Sequence, residues 1–278
     1  MIKSNYHTHL KYCNHADGVS EDYVKEAIRL GFTEIGISDH APILEEFMTR
    51  EEYDDNWCHQ NMKMNTVPVY INDVLKAKEK YKNQIKVYLG FETEYIPERL
   101  YHYKELRAKV EYINLGLHYF PDEKGRMVNS YCQIDYKNVG RYADVAVMAM
   151  ETGLYNTLVH PDLFMYLYKN INGERVFDDA ARAATHKICQ AAIKNNVYLE
   201  LNANGLYNTP GQGRYGRESW RYPYYEFWQI ASEYKDLKII IGADAHSPAR
   251  LSGFHIEEVL KLAKDLNLTI CEKMEINH

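Results

Sequence analysis

Cysteine is scarce in this chain: five in 278 residues (Cys13, Cys58, Cys132, Cys189 and Cys271), with no CxxC pair among them. An odd number without regular spacing argues against a disulfide framework and reads as free thiols in a reducing compartment, each serving as a small buried hydrophobe. Cys13 stands apart because it lies between His9 and His15. Long apolar runs are missing too. The longest, VAVMAM at 145–150, is far short of the ~18 residues that a membrane span needs. The opening MIKSNYHTHL has no apolar core of a signal peptide, so a cytoplasmic location is the default expectation. No Lys/Arg run offers a surface that could neutralise a string of phosphates, and the formal net charge is −6. A nucleic-acid polymer is therefore a poor fit as partner, and a small molecule a better one. Pro/Gly/Ser-rich linkers are also lacking, so residues 1–278 read as one domain.

What the chain does contain is a steady alternation of strand-length apolar runs and helix-period segments. Strands are predicted at 5–9, 33–40, 86–95, 112–119, 157–163, 197–204 and 238–246. Helices are predicted at 21–30, 69–81, 138–151, 178–195, 223–234 and 256–266, with N-caps at Ser20 and Asp178. This pattern predicts an α/β fold in which a parallel sheet closes into a seven-stranded barrel, because helices outside and a packed inside bury every strand on both faces. Two connections, 41–66 and 205–222, are long enough to be lids or binding loops.

Seven of the twelve histidines, His7, His9, His15, His40, His118, His160 and His246, fall at or just past predicted strand ends. Glu92 and Asp244 join them there. Active sites of α/β barrels lie at the C-terminal ends of the strands, so these groups converge on one rim. Strand side chains alternate with a period of two, so His7 and His9 share a face, as do Asp244 and His246, and each pair can chelate. Nine potential ligands on one rim would be costly to bury without charge partners, which points to metal. Of the neighbouring carboxylates Glu92 and Glu94, Glu92 is preferred because it follows Gly90–Phe91 at the rim. The other histidines, His59, His102, His186, His255 and His278, fall in helices, loops or the terminus and are expected on the surface.

The motifs HTHLKYCNH, SDH, GFETE, GLH, VHPD and GADAH, in this order and spacing, resemble those of the polymerase and histidinol phosphatase (PHP) family. The resemblance runs through nearly the whole chain. It implies a distorted seven-stranded (β/α)7 TIM-like barrel with a trinuclear centre of Zn, Fe or Mn. One ion would be held by His7, His9, Glu92 and Asp244. Glu92 would bridge to a second completed by His118 and His160, and a third would take His15, His40 and His246. The chain's length and lid-like loops look most like the histidinol-phosphatase branch, which implies hydrolysis of a small phosphomonoester, L-histidinol phosphate first. That branch often carries an arginine soon after the sixth strand. Here the stretch reads Asn204-Gly205-Leu206-Tyr207, and arginines come only later, at Arg214, Arg217 and Arg221.

Three divalent ions against Glu92 and Asp244, with a bridging hydroxide, would leave the centre at about +3, which suits a phosphate dianion; hydroxide between two ions would attack phosphorus in line. Asp17 is the candidate acid for the leaving alkoxide. Arg214 and Arg217, on the basic loop, are candidates to clamp phosphate, and the acidic loop, with Glu45, Glu46, Glu51, Glu52, Asp54 and Asp55, to receive a cationic amine. Asn202 and Asn204 end the sixth strand and are candidate substrate contacts. Tyr12, Tyr119 and Tyr207 are near enough to the rim to line a pocket. Three other readings stand beside this one: a PHP-type nuclease or nucleotide phosphodiesterase, a phosphatase for another ester, and an amidohydrolase, whose barrel also begins with HxH. A non-catalytic metal-binding module comes last. Nothing in the sequence sets an oligomeric state.

Overall fold

The computed structural model describes residues 2–207, 209, 211 and 215–276. In chain order its strands are β1 (Ser4–Asn5), β2 (Glu34–Ile37), β3 (Lys86–Thr93), β4 (Tyr112–Leu115), β5 (Tyr119–Pro121), β6 (Met127–Asn129), β7 (Thr157–Leu158), β8 (Tyr198–Asn202) and β9 (Ile239–Gly242). Seven of them form one parallel sheet in the order β1-β2-β3-β4-β7-β8-β9, while β5 and β6 make a separate antiparallel hairpin. The helices are α1 (Ser20–Arg29), α2 (Arg50–Asp55), α3 (Val67–Tyr81), α4 (Leu100–Arg107), α5 (Val139–Glu151), α6 (Asp179–Lys194), α7 (Tyr225–Ala231) and α8 (Phe254–Asp265). Among the described residues, no helix is long and apolar enough to cross a membrane.

The sheet is a nearly closed barrel. Its seam, between β9 and β1, is joined past the strand ends: His9 N donates to Ala245 O at 2.9 Å and Ala245 N to His7 O at 3.2 Å. Lower down, the Asn5 side chain accepts from Ala243 N at 2.7 Å, standing in for a ladder bond. Alternation along β3 explains how the barrel fills. Val87, Leu89 and Phe91 pack in the main hydrophobic cluster, while Tyr88 joins Tyr6, Tyr112, Tyr198, Ile240 and Met274 in a separate one. Tyr112 lies so close to β3 that a Cβ on Gly90 would come within 2.4 Å of its ring. The C-terminal segment seals this end: Cys271 N donates to Ile239 O (2.7 Å), Ser4 Oγ to Glu272 O (2.5 Å) and Met274 N to the Tyr6 hydroxyl (3.0 Å).

Six of the predicted helices form with boundaries shifted by a few residues. Asp178 caps α6 as expected, accepting from Ala181 N at 3.0 Å. Ser20 does not cap α1. It is the first helical residue, after Val19, and donates from both its backbone N and its Oγ to Asp73. Several strands are shorter than predicted because the backbone leaves the ladder where the rim side chains begin; His160 (φ 33°) and Asp244 (φ 46°) adopt left-handed conformations there. The predicted strand 112–119 is two elements, since β4 stops at Leu115 and Tyr119 opens the hairpin. Helices α2 and α4 were not expected. His102 and His255 are buried rather than on the surface, because each satisfies its Nε2 on a backbone carbonyl, of Pro42 and Arg250 respectively, both at 2.9 Å. His278 lies outside the described residues.

Candidate metal centre

Glu92 projects from the inward face of β3, two residues beyond Gly90, and becomes the hub of the rim. Its Oε2 lies 3.2 Å from His7 Nε2, 3.3 Å from His9 Nε2 and 3.2 Å from His40 Nδ1. Its Oε1 lies 3.4 Å from His118 Nε2 and 3.1 Å from His160 Nε2. Asp244 is the second hub, with Oδ1 at 3.6 Å from His7 Nε2, 3.1 Å from His9 Nε2 and 3.4 Å from His246 Nδ1. His15 meets the group from the first loop, its Nε2 3.1 Å from His246 Nε2. The rings of His40 and His246 both stack on His9, at 4.2 and 4.3 Å, and lie 6.3 Å from each other.

These separations test whether the residues fit metal ions. Bonds of about 2.0–2.1 Å place the ligand atoms of a tetrahedral ion roughly 3.3–3.4 Å apart, a spacing that the observed pairs straddle. His160 Nε2 is within hydrogen-bond distance of Glu92 Oε1, and His15 Nε2 of His246 Nε2, but His7 Nε2, His9 Nε2, Glu92 Oε2 and Asp244 Oδ1 are all buried without a hydrogen-bond partner. Buried imidazole nitrogens and carboxylate oxygens converging at these spacings are what a cation satisfies. Several triads, including His7/His9/Asp244, His7/Glu92/His160 and His9/His40/His246, bring one atom of each member within 4.8 Å of the others. The donor set fits divalent transition-metal ions.

The electrostatics agree. Burial opposes ionisation of Glu92 and Asp244, but the surrounding imidazoles outweigh it and hold both well below the usual carboxylate range. Burial and the neighbouring His9 lower His40, and lower His246 to about 3, leaving both neutral as ligands must be. Burial also works against charge on His118, yet Glu94 and Glu92 raise it to about 9.

A second layer of carboxylates fixes the rings, and the sequence reading missed it. Glu200, on β8, accepts from His7 Nδ1 at 2.8 Å, from His160 N at 3.1 Å and from Asn202 Nδ2 at 2.9 Å. Glu94 accepts from His118 Nδ1 at 2.5 Å, and Asp39 lies 3.6 Å from His9 Nδ1. For His7 and His118, occupying Nδ1 sets the tautomer and aims Nε2 at the hubs. Glu200 has room only because position 242 is glycine, where a Cβ would fall 1.6 Å from its Oε1. Glu200→Gln is expected to weaken metal binding about 10- to 100-fold; competition with a chelating dye measures it, and an unchanged affinity would remove Glu200 from this role.

The centre forms one wall of a cavity of about 540 Å³. Asp17 and Asn204 line it, as do Trp57, Tyr119, Tyr131, Tyr166 and Leu167. Tyr131 lies nearly parallel to the His118 ring (8°, centroids 6.0 Å apart) and meets Tyr166 edge-on at 5.2 Å. Asp17 is anchored by its backbone, N donating to His246 O at 2.9 Å. The other expected substrate contacts divide. Asn204 reaches the cavity while donating to Asp244 Oδ2 at 3.2 Å. Asn202 is fully buried behind the ligands, where its amide bridges Glu200 and Asp244. Arg217 is drawn away by Asp265, 2.6 Å distant, and does not line the cavity. Arg214 lies outside the described residues. The loop 41–66 does reach the cavity, but through Asn56, Trp57, Gln60 and Asn61 and none of its six acids. Arg50 pairs with Glu45 and Asp54, and Glu52 accepts from Thr49 N and Met127 N. A cation there, Arg250, went unnoticed in the sequence although it follows GADAH by only four residues.

Comparison with known proteins agrees with this geometry. The "probable histidinol-phosphatase" of Deinococcus radiodurans is 23% identical over 266 residues, covering 94% of this chain and 92% of the relative. The histidinol-phosphatase of Bacillus subtilis is 22% identical, covering 88% and 94%. The crystal structure of histidinol phosphate phosphatase from Lactococcus lactis, complexed with Zn, L-histidinol and phosphate, superposes with a TM-score of 0.66 at 17% identity, covering 98% of both chains. The family profile of the PHP domain matches residues 5–204, which include the hub Glu92 and six of the seven rim histidines, and the chain belongs to that family.

Proposed function

We propose that this protein is a metal-dependent phosphomonoesterase whose substrate is L-histidinol phosphate. The observation that carries the reading is the shape of one cavity: buried carboxylate–imidazole hubs at its floor, and Trp57, Tyr131, Tyr166 and Leu167 on another part of its wall. A phosphoryl group suits the first surface and a flat imidazole ring the second. The relatives named above support the same choice. Three ions are proposed, one on His7, His9, Glu92 and Asp244, one on Glu92, His118 and His160, and one on His15, His40 and His246. Bound there, divalent ions neutralise phosphate oxygens and acidify water toward neutrality. The protein's own part is to hold that face rigid through Glu200 and Glu94, to orient the organic group on the aromatic wall, and to deliver a proton from Asp17 to the leaving oxygen. A polymeric nucleic acid suits the cavity less well, since Arg250 is the one Lys or Arg among the described residues lining it.

Phosphate release from L-histidinol phosphate, from other phosphomonoesters and from a dinucleotide tests the proposal. Histidinol phosphate is expected to lead the panel in kcat/KM by about tenfold or more, and Asp17→Asn to slow it more than p-nitrophenyl phosphate, whose leaving group needs no proton. Preference for another ester overturns the substrate, preference for the dinucleotide overturns the class, and equal slowing removes Asp17 as the acid.

A further inference from the structure

We infer that Arg250 is the residue that reads the phosphoryl group and selects monoesters over diesters, an assignment that rests on the phosphatase reading above. Arg250 stands on the short turn Pro248–Leu251, directly after the strand end that delivers Asp244 and His246. It shares the cavity wall with His15, Asp17, His246 and Asn204. The guanidinium is held in place before any ligand arrives. It lies over the Tyr207 ring, 4.6 Å from the centroid, and the buried His255 packs 4.6 Å from the same ring while donating from Nε2 to Arg250 O at 2.9 Å.

Its hydrogen-bonding capacity is left largely unspent. Nη1 donates one long bond, 3.4 Å, to Asn204 Oδ1, and among the described residues no carboxylate pairs with Arg250. Neighbouring arginines are committed: Arg217 to Asp265, Arg221 to Tyr166 O, and Arg175 to the carbonyls of Met165, Trp220 and Arg221. A half-buried guanidinium on a cavity wall, with no carboxylate of the described residues on it, is free to take an anion, and its planar fork matches two oxygens of one phosphoryl group. Asn204 also ties it to the hub, bonding Arg250 with its oxygen and Asp244 Oδ2 with its nitrogen at 3.2 Å. The fork and the carboxylate–imidazole face thus flank one point. A phosphomonoester offers three terminal oxygens, enough for both; a diester offers two. Position 250 therefore supplies the cation that the stretch after the sixth strand lacks.

The test uses full-length, metal-loaded protein, with metal content and melting temperature recorded for wild type, Arg250→Ala and Arg250→Lys. KM is measured for p-nitrophenyl phosphate and for bis(p-nitrophenyl) phosphate, the inhibition constant for inorganic phosphate, and phosphate binding by calorimetry. In R250A, KM for the monoester and both phosphate constants are expected to rise about 10- to 100-fold, the scale of a charge-assisted pair. The diester should change less than about threefold, and R250K, which keeps the charge without the fork, should fall between. Phosphate constants within about threefold of wild type in R250A overturn the proposal. So do equal losses on both esters with R250K no better than R250A, the signature of a merely structural arginine. If histidinol phosphate proves a poor substrate while phosphate binding still depends on position 250, the substrate reading falls and this one stands.

Discussion

Glu92→Gln is expected to cut phosphatase turnover by on the order of a thousandfold and to leave the protein short of metal. Glutamine keeps the shape of the side chain but replaces a charged oxygen with an amide NH2. That change falls where both carboxylate oxygens now face ring nitrogens, of His7, His9 and His40 on one side and His118 and His160 on the other. An amide NH2 contributes nothing to a metal, and His7, His9 and His118 each lose one of their counter-charges. Losing about 4 kcal/mol of transition-state stabilisation, the scale of removing one group from a preorganised charged site, corresponds to that loss of rate. Metal per chain and kcat should fall together. A Glu92→Gln protein with full metal content and full turnover would refute the hub.

Stripping the metals with a chelator should be nearly as severe. Activity is expected to vanish and the melting temperature to drop by several degrees, because each ion binding only the folded chain at a hundred times its Kd stabilises by about 2.7 kcal/mol. Adding divalent ions back should restore both. The affinity also has a sign with pH. In the metal-free protein His118 titrates at about 9 and His7 well above the usual imidazole range. At neutral pH both carry a proton that an ion must displace, so metal binding strengthens as pH rises and flattens for His118 only above about 9. Each proton released contributes about tenfold per pH unit. Calorimetry in buffers of different ionisation enthalpy between pH 6 and 8 counts those protons; an affinity flat across that interval would contradict the assignment.

The sequence exposed the rim because ligands recur at strand ends with a period of two, a pattern that survives even where the strand is two residues long, as in β1 and β7. The layer behind was concealed by the same logic. Glu200 sits in YLELN between two leucines, in a strand whose apolar residues mark it only as core, although it is two residues from Asn202 and therefore on its face. The loops misled more. Charge counted over the acidic loop suggested a receptor for a cation, but Glu52 caps α2, Glu45 and Asp54 pair with Arg50, and the loop side chains that reach the cavity are neutral. Counting charge does not say where a side chain points. The β5–β6 hairpin carried its own signal, Gly125 in the left-handed region at φ 79°, hidden because Tyr119–Pro121 extends the apolar run of β4. Helix α4 (LYHYKELR) is too short for its period to stand out.

The tyrosine layer and the C-terminal segment stopper one end of the barrel, so the rim is reached from the other. Substrate and both products then share the one cavity whose wall includes Trp57, Tyr131 and Tyr166. An ester lodged with phosphorus against the hubs leaves its alcohol nearest the exit, so the alcohol departs first and phosphate last. Such a queue makes inorganic phosphate compete with incoming substrate. Turnover is then paced by how quickly the deepest guest lets go.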